Sequence, residues 1–189
     1  MTGIYSSGRQ SGLSLIELMA TLAVIAILLQ LGLPAVRNLI ERQQARHEIE
    51  QLKMLLFTVR SQAILSSTNA VLCPLNSSNQ CHTDWNQGLT AFSDPNKNRI
   101  LDAGELILGT TSVSDSVTWR SYPRKAFAVN GKGYAGYANG TLGYCRTLSS
   151  GEKMGAAFII SRMGRIRPAS DKNDNGIPEN GSGKEIRCD

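Results

Sequence analysis

The chain has 189 residues, 41% hydrophobic and 19% charged, with a formal net charge of +5 and an isoelectric point near 9.2. That fits one globular domain plus one extra element and leaves no room for two full domains. The mild basic excess selects no partner by itself, because the distribution of charge matters more than its sum.

Residues 1–12 are polar and glycine-rich, with one basic residue, Arg9. An apolar run from Leu13 to Leu33 follows, about the 20 residues that a bilayer-spanning helix needs. A secretory signal has a shorter apolar stretch followed by a small-residue cleavage site. Here the small residue, Gly12, precedes the run, so cleavage between Gly12 and Leu13 would leave the hydrophobic helix on the mature protein. Glu17 interrupts the run, and a carboxylate there costs about 2.5–3.5 kcal/mol on insertion scales, so it needs a partner. Cleavage would create an amine on Leu13 one helical turn from Glu17, and in a bundle Glu17 of one chain would neutralise the amine of a neighbour. The plainer reading is a near-end carboxylate that reaches back to the interface.

Taken together, Gly12, Leu13, Glu17, the apolar run and Pro34 resemble the type IV prepilin family. The resemblance implies that a prepilin peptidase cuts after Gly12 and methylates Leu13. It also implies that Glu17 aids assembly with other pilins, and that the chain is a single-pass inner-membrane protein with a periplasmic head before it joins a surface filament. Leu13 departs from the Phe or Met that is commoner in that family, an exchange of one apolar side chain for another. Charge does not orient the span, since Arg9 precedes it while Arg37, Arg42 and Arg46 follow it.

Beyond the anchor, residues 34–67 are predicted to continue the helix, bent near Pro34, which removes a backbone donor. Ala45, Ile49, Leu52, Leu56, Val59 and Ala63 alternate spacings of four and three and so share one helical face. That stripe is expected to dock on a sheet. From about residue 68 the pattern changes to short apolar runs between turn residues, which predict strands. These are Ala70–Cys73, Leu89–Phe92, Glu105–Thr110, Val117–Ser121, Ala126–Val129, Gly136–Cys145 and Ala156–Ser161, the last extending towards Arg167. Asn139-Gly140 is a predicted hairpin turn, because that pair accepts positive φ at both positions. The Asp/Asn/Gly/Ser-rich tail from Ala169 is expected to be loop-like. The fold class is α+β: a long N-terminal helix packed on a strand-rich head spanning 68–189.

Within the pilins the head is similar to the FimT/GspH group. The matching residues are Leu72-Cys73-Pro74, Cys81, Trp85, Gly88, Phe92, the Asp94–Glu105 loop and Gly164-Arg165-Ile166-Arg167. Four cysteines in an exported chain read as disulfides, with three pairings open. The closeness of Cys73 and Cys81 predicts that they staple one loop, leaving Cys145 to tie Cys188 and the tail to the head. A zinc site using His82 is the rival, and no Cys-x-x-Cys spacing supports it. In the Asp94–Glu105 loop, Asp94, Asn96, Asn98, Asp102 and Glu105, with the Ile100 carbonyl, fall at the ligand positions of an EF-hand calcium loop. Arg99 stands where that loop needs glycine. The competing reading is an Asx-rich turn held by its own side-chain-to-backbone bonds, with no cofactor at all. Asp171-x-Asn-x-Asn-Gly176 repeats the start of the pattern without the closing glutamate.

Charge is segregated along the head. Between Arg120 and Arg167, Glu152 alone opposes Arg120, Arg124, Lys125, Lys132, Arg146, Lys153, Arg162, Arg165 and Arg167. Such a one-sign cluster predicts a positive surface field. If Arg165-Ile166-Arg167 is a strand, both arginines face outward while Ile166 packs inward. Gly164 would let the backbone bend or a phosphate chain approach closely. The guanidinium fork suits phosphate. In the FimT group a Gly-Arg-x-Arg motif is associated with DNA binding during uptake for natural transformation. The resemblance therefore implies DNA contact through Arg162, Gly164, Arg165 and Arg167, with Arg120, Arg124 and Lys125 as further candidates. The alternative is a structural minor pilin, or a type II secretion pseudopilin, that primes filament assembly without touching DNA. No nucleophile–base arrangement or phosphate-cradling loop points to an enzyme.

Overall fold

The structure, a computed structural model, describes residues 14–188. The predicted cleavage and methylation positions, Gly12 and Leu13, lie outside the described residues. By compactness the chain divides into one unit ending at Leu39 and another from Ile40 to Asp189.

In the first unit, helix α1 (Leu15–Ser66) begins behind Ser14, whose Oγ accepts the Glu17 N–H at 3.3 Å. That is the cap expected of a serine ahead of a first turn, and Glu17 supplies the acidic residue that complements the helix dipole there. The helix passes through Pro34 without interruption. Its apolar part is long and hydrophobic enough to cross a membrane, and Leu15, Ile16, Leu33 and Val36 within it are exposed.

Among the described residues the second unit contains the rest of α1 and eight strands in two antiparallel sheets. One sheet has the order β3-β2-β1-β5, from β1 (Ala70–Pro74), β2 (Leu89–Ser93), β3 (Ile107–Thr110) and β5 (Phe127–Val129). The other has the order β4-β6-β7-β8, from β4 (Thr118–Ser121), β6 (Gly140–Thr147), β7 (Lys153–Ile160) and β8 (Ile166–Pro168). The predicted helical stripe is the buried one. Ala45, Leu52, Leu56, Val59 and Ala63 are in the core, with Ile49 packed against it. They meet Leu72, Leu89 and Phe127 of the first sheet and Leu142, Tyr144, Phe158 and Ile160 of the second in one cluster.

Both predicted disulfides are present, Cys73–Cys81 and Cys145–Cys188. The tail follows β8 along β7: Ala169 N–H donates to the Ala157 carbonyl, and Gly155 N–H donates to Gly176 at 2.7 Å. It therefore covers the part of the β7 edge that the short β8 leaves unpaired.

One predicted turn is absent. Asn139 is extended, at φ −67° and ψ 152°, and Gly140 opens β6 behind a short 3-10 helix, Gly136–Ala138. Packing overrides the local preference. A Cβ on Gly140 would sit 2.5 Å from Pro123 Cγ, so this glycine serves close approach of two segments rather than a hairpin. The hairpin that β6 forms lies instead at its other end, with β7, where Thr147 pairs with Lys153 and Gly151 takes φ +83°.

Candidate nucleic-acid interface

The arginine motif occupies the connection from β7 to β8. Ile160 pairs with Ile166, so residues 161–165 form the turn between them. Ser161 organises it. Its N–H donates to the Arg165 carbonyl at 3.0 Å, its carbonyl accepts Gly164 N–H at 2.9 Å, and its Oγ accepts Arg165 N–H at 3.1 Å. Arg165 therefore belongs to the turn, and the predicted strand begins one residue later. Ile166 packs on the core, while Arg162, Arg165 and Arg167 are exposed. Among the described residues none of these three guanidinium groups has a hydrogen bond or ion pair. Arg167 borders a groove of about 520 Å³ formed with Ile49 and Phe57 of α1 and Phe158 of β7.

Gly164 is buried and has φ +73°. A Cβ there would lie 1.9 Å from the Gly133 carbonyl oxygen and 3.3 Å from Arg60 Nε. The glycine thus seats the arginine turn on a second turn, residues 130–134. That turn is built on Asn130, whose side-chain carbonyl accepts the Lys132 and Tyr134 N–H groups at 3.0 Å each. A further tie follows at once, from Gly136 N–H to the Arg162 carbonyl at 2.9 Å. The short 3-10 helix is held from below, because the buried Tyr122 hydroxyl donates to the Ala138 carbonyl. Burial raises the Tyr122 phenol well above its usual pKa, so it remains a donor.

The register collects these pieces at one end of the second sheet. Gly140 pairs with Ile160, Ile160 with Ile166, and Gly140 touches Pro123 beside Arg124. Exposed Arg124, Lys132, Arg162 and Arg165 lie there. Arg60 reaches the same place from α1, with its Nε buried beneath the two turns and without a partner among the described residues. The single acid of the segment, Glu152, is at the opposite end of the sheet, where it pairs with Arg42. The result is a cluster of cations at that end of the sheet, while the groove that Arg167 borders is also lined by Glu50, Glu152 and Asp171.

Two residues of the predicted basic cluster do not contribute. Arg120 is buried and donates to the Asn86, Gln87 and Ser112 carbonyls and to Thr111 Oγ1. Arg146 is buried between Glu48, at 3.3 Å, and Asp115, at 3.0 Å. A run of like charge in sequence does not distinguish an arginine that alternation turns inward from one turned outward. Lys125 borders a different recess, with Arg99 and Cys81. Conversely, Arg60 joins the site unannounced, and Tyr134 and Tyr137, which lie upstream of the arginine segment in sequence, sit beside it. The crowding of glycines at 131, 133 and 136 is the signal that marks the 130–138 segment as one approached closely by another.

In the Asp94–Glu105 loop, Asp94 is buried and accepts the Asn98 N–H at 3.0 Å and the Arg99 N–H at 3.2 Å. Asp102 accepts both the Asn96 and Asn98 amides, at 2.8 and 2.7 Å, which holds its carboxyl below the usual pKa. Glu105 accepts the Asp102 N–H at 3.1 Å, and desolvation raises its pKa. Arg99 takes φ +58° at the position where a calcium loop carries glycine. Among the described residues no three His, Cys, Asp or Glu side chains are grouped to hold a metal.

The family model described as type II transport protein GspH matches residues 48–164, and the prokaryotic N-terminal methylation motif matches residues 7–29. Crystal structures of the type IV minor pilin FimU from Pseudomonas aeruginosa are similar in two crystal forms. One is 17% identical, covers 69% of this chain and 91% of that one, and has a TM-score of 0.46. The other is 17% identical, covers 68% and 92%, and has a TM-score of 0.45. Among curated proteins none matches the chain.

Proposed function

We propose that this chain, which belongs to the GspH family of type IV minor pilins and pseudopilins, binds DNA non-specifically at the cell surface and supports its uptake for natural transformation. The observation that carries this reading is the set of three exposed guanidinium groups of Arg162, Arg165 and Arg167, unpaired among the described residues, around a buried glycine. An arginine fork with no protein acceptor is available to two phosphate oxygens at once. No acid of the surrounding segment neutralises that end of the sheet. Anchoring in the inner membrane follows from the apolar helix and the methylation motif, and the two disulfides support a head in the oxidising periplasm. In the same reading prepilin peptidase cuts at Gly12–Leu13, and Glu17 guides assembly with other pilins.

Binding is electrostatic and indifferent to base sequence, so affinity falls steeply as salt rises. The test is an electrophoretic shift titration of the full-length protein in non-ionic detergent over a salt series. Replacing both Arg165→Gln and Arg167→Gln should weaken binding on the order of tenfold or more at low salt and lower the salt slope by about 2. Equal binding by the two proteins would show the arginine assignment to be wrong. No binding by either at low salt removes DNA recognition, and the chain is then an assembly subunit.

We read the Asp94–Glu105 loop as a turn that satisfies its own polar groups. The melting temperature of the head should then be the same in calcium and in chelator, and a rise in calcium would instead make Asp94, Asn96, Asn98, Asp102 and Glu105 ligands.

A further inference from the structure

The residues beside the arginine turn specify which form of DNA suits it. Tyr137 is 88% exposed and Tyr134 is 43% exposed. Both sit on backbone fixed against the arginine turn, Tyr134 through the Gly133–Gly164 contact and Tyr137 through the Gly136 N–H to Arg162 carbonyl bond. Tyr137 is clamped from the other side as well, because its neighbour Ala138 accepts the Tyr122 hydroxyl. An aromatic ring this exposed contributes nothing to the core, yet the segment presenting it is anchored at both ends. Tyr134 also lines a recess of about 750 Å³ with Lys97, Lys132 and Pro95, so one ring stands on a cationic wall.

We infer that this end of the head takes single-stranded nucleic acid in preference to duplex, with a base stacked on Tyr137 and the backbone phosphates on Arg162, Arg165 and Lys132. The inference rests on the DNA-binding reading above and adds the form of the ligand. Cations alone do not distinguish duplex from single strand, because both offer phosphates. An exposed ring does distinguish them. Bases in a duplex are already stacked on each other, whereas an unpaired base can lay its face on a side chain at little cost. Stacking tolerates any base, so the site remains indifferent to sequence.

The experiment measures fluorescence anisotropy of a labelled oligothymidylate and of a duplex of equal length, with the full-length protein in non-ionic detergent. Tyr137→Ala should weaken single-strand binding by about 5- to 150-fold, the range that one lost base–aromatic stack gives, and leave duplex binding unchanged. Tyr137→Phe should keep the single-strand affinity, since the ring and not the hydroxyl stacks. If Tyr137→Ala binds the oligothymidylate as the parent does, while the Arg165→Gln, Arg167→Gln variant loses both ligands, stacking is overturned and DNA binding stands. If the parent binds neither ligand at low salt, both readings fall together.

Discussion

Gly164→Ala should lower the stability of the head by about 2–5 kcal/mol, the largest loss expected of any single methyl group added here. Two costs add. At φ +73° a side chain pays about 1–2 kcal/mol for the left-handed backbone region. The added carbon would also lie 1.9 Å from the Gly133 carbonyl oxygen, so one of the two turns must move. Displacing well-packed backbone costs typically about 1–3 kcal/mol more. Gly151 separates the two terms. It has φ +83° and nothing within 4 Å, so Gly151→Ala pays for conformation alone. Thermal denaturation of the parent and the two variants should place Gly151→Ala a few degrees below the parent and Gly164→Ala well below both. Equal losses would mean that the contact between the turns carries no weight. Because that contact positions Arg162 and Arg165 over the 130–134 turn, Gly164→Ala should also weaken the proposed DNA binding at temperatures where it is still folded. A purely stabilising glycine would leave that affinity unchanged.

Helix α1 was the most legible element among the described residues, for a physical reason. A spanning helix is specified by composition over some twenty residues, and the stripe from Ala45 to Ala63 by a period of 3.6; neither needs knowledge of a partner. The strands were legible in approximate place but not in number or in their ends, because the run predicted from Ala156 towards Arg167 is two strands, β7 and β8, with a turn at 161–165 between them. Glu105 and Leu106 precede β3, Val117 precedes β4, and Lys153 to Gly155 extend β7. Asn139-Gly140 failed because turn propensity is local, while the crowding of Gly140 against Pro123 is not.

The candidate site divides along the same line. The motif around Gly164 was readable because its residues are contiguous. Its support was not, because Arg60, Asn130 and Tyr122 come from three other segments and meet it only through tertiary packing. The charge run misled in the complementary way. Arg120 and Arg146 count toward a positive segment, yet each is buried against acceptors that lie far off in the chain.

Removing the tail disulfide is the second large effect expected. Cys145 and Cys188 are 43 residues apart, and the chain-entropy relation gives about 4 kcal/mol for closing a loop of that size. Cys73 and Cys81 are only 8 apart, for which the same relation gives about 2.5 kcal/mol. Cys145→Ser with Cys188→Ser should therefore lower the denaturation midpoint more than Cys73→Ser with Cys81→Ser. Cys73 is fully buried in a small cluster with Val71 and Phe92, so an equal or reversed order would show that packing outweighs loop closure. Proteolysis distinguishes the mechanisms. The tail otherwise holds to the head through Ile186, which packs on Gly143, and through the bonds from Ala169 and Gly155 along β7. Without the covalent tie these yield locally before the core does. Trypsin should then cut the Cys145→Ser, Cys188→Ser variant at Lys172, Lys184 or Arg187 under conditions that leave the parent whole. A variant that resists trypsin in the tail but melts early would show that the disulfide acts only on the unfolded chain. Early cutting would show that it also holds the edge of β7 closed, next to the strand that carries Arg167.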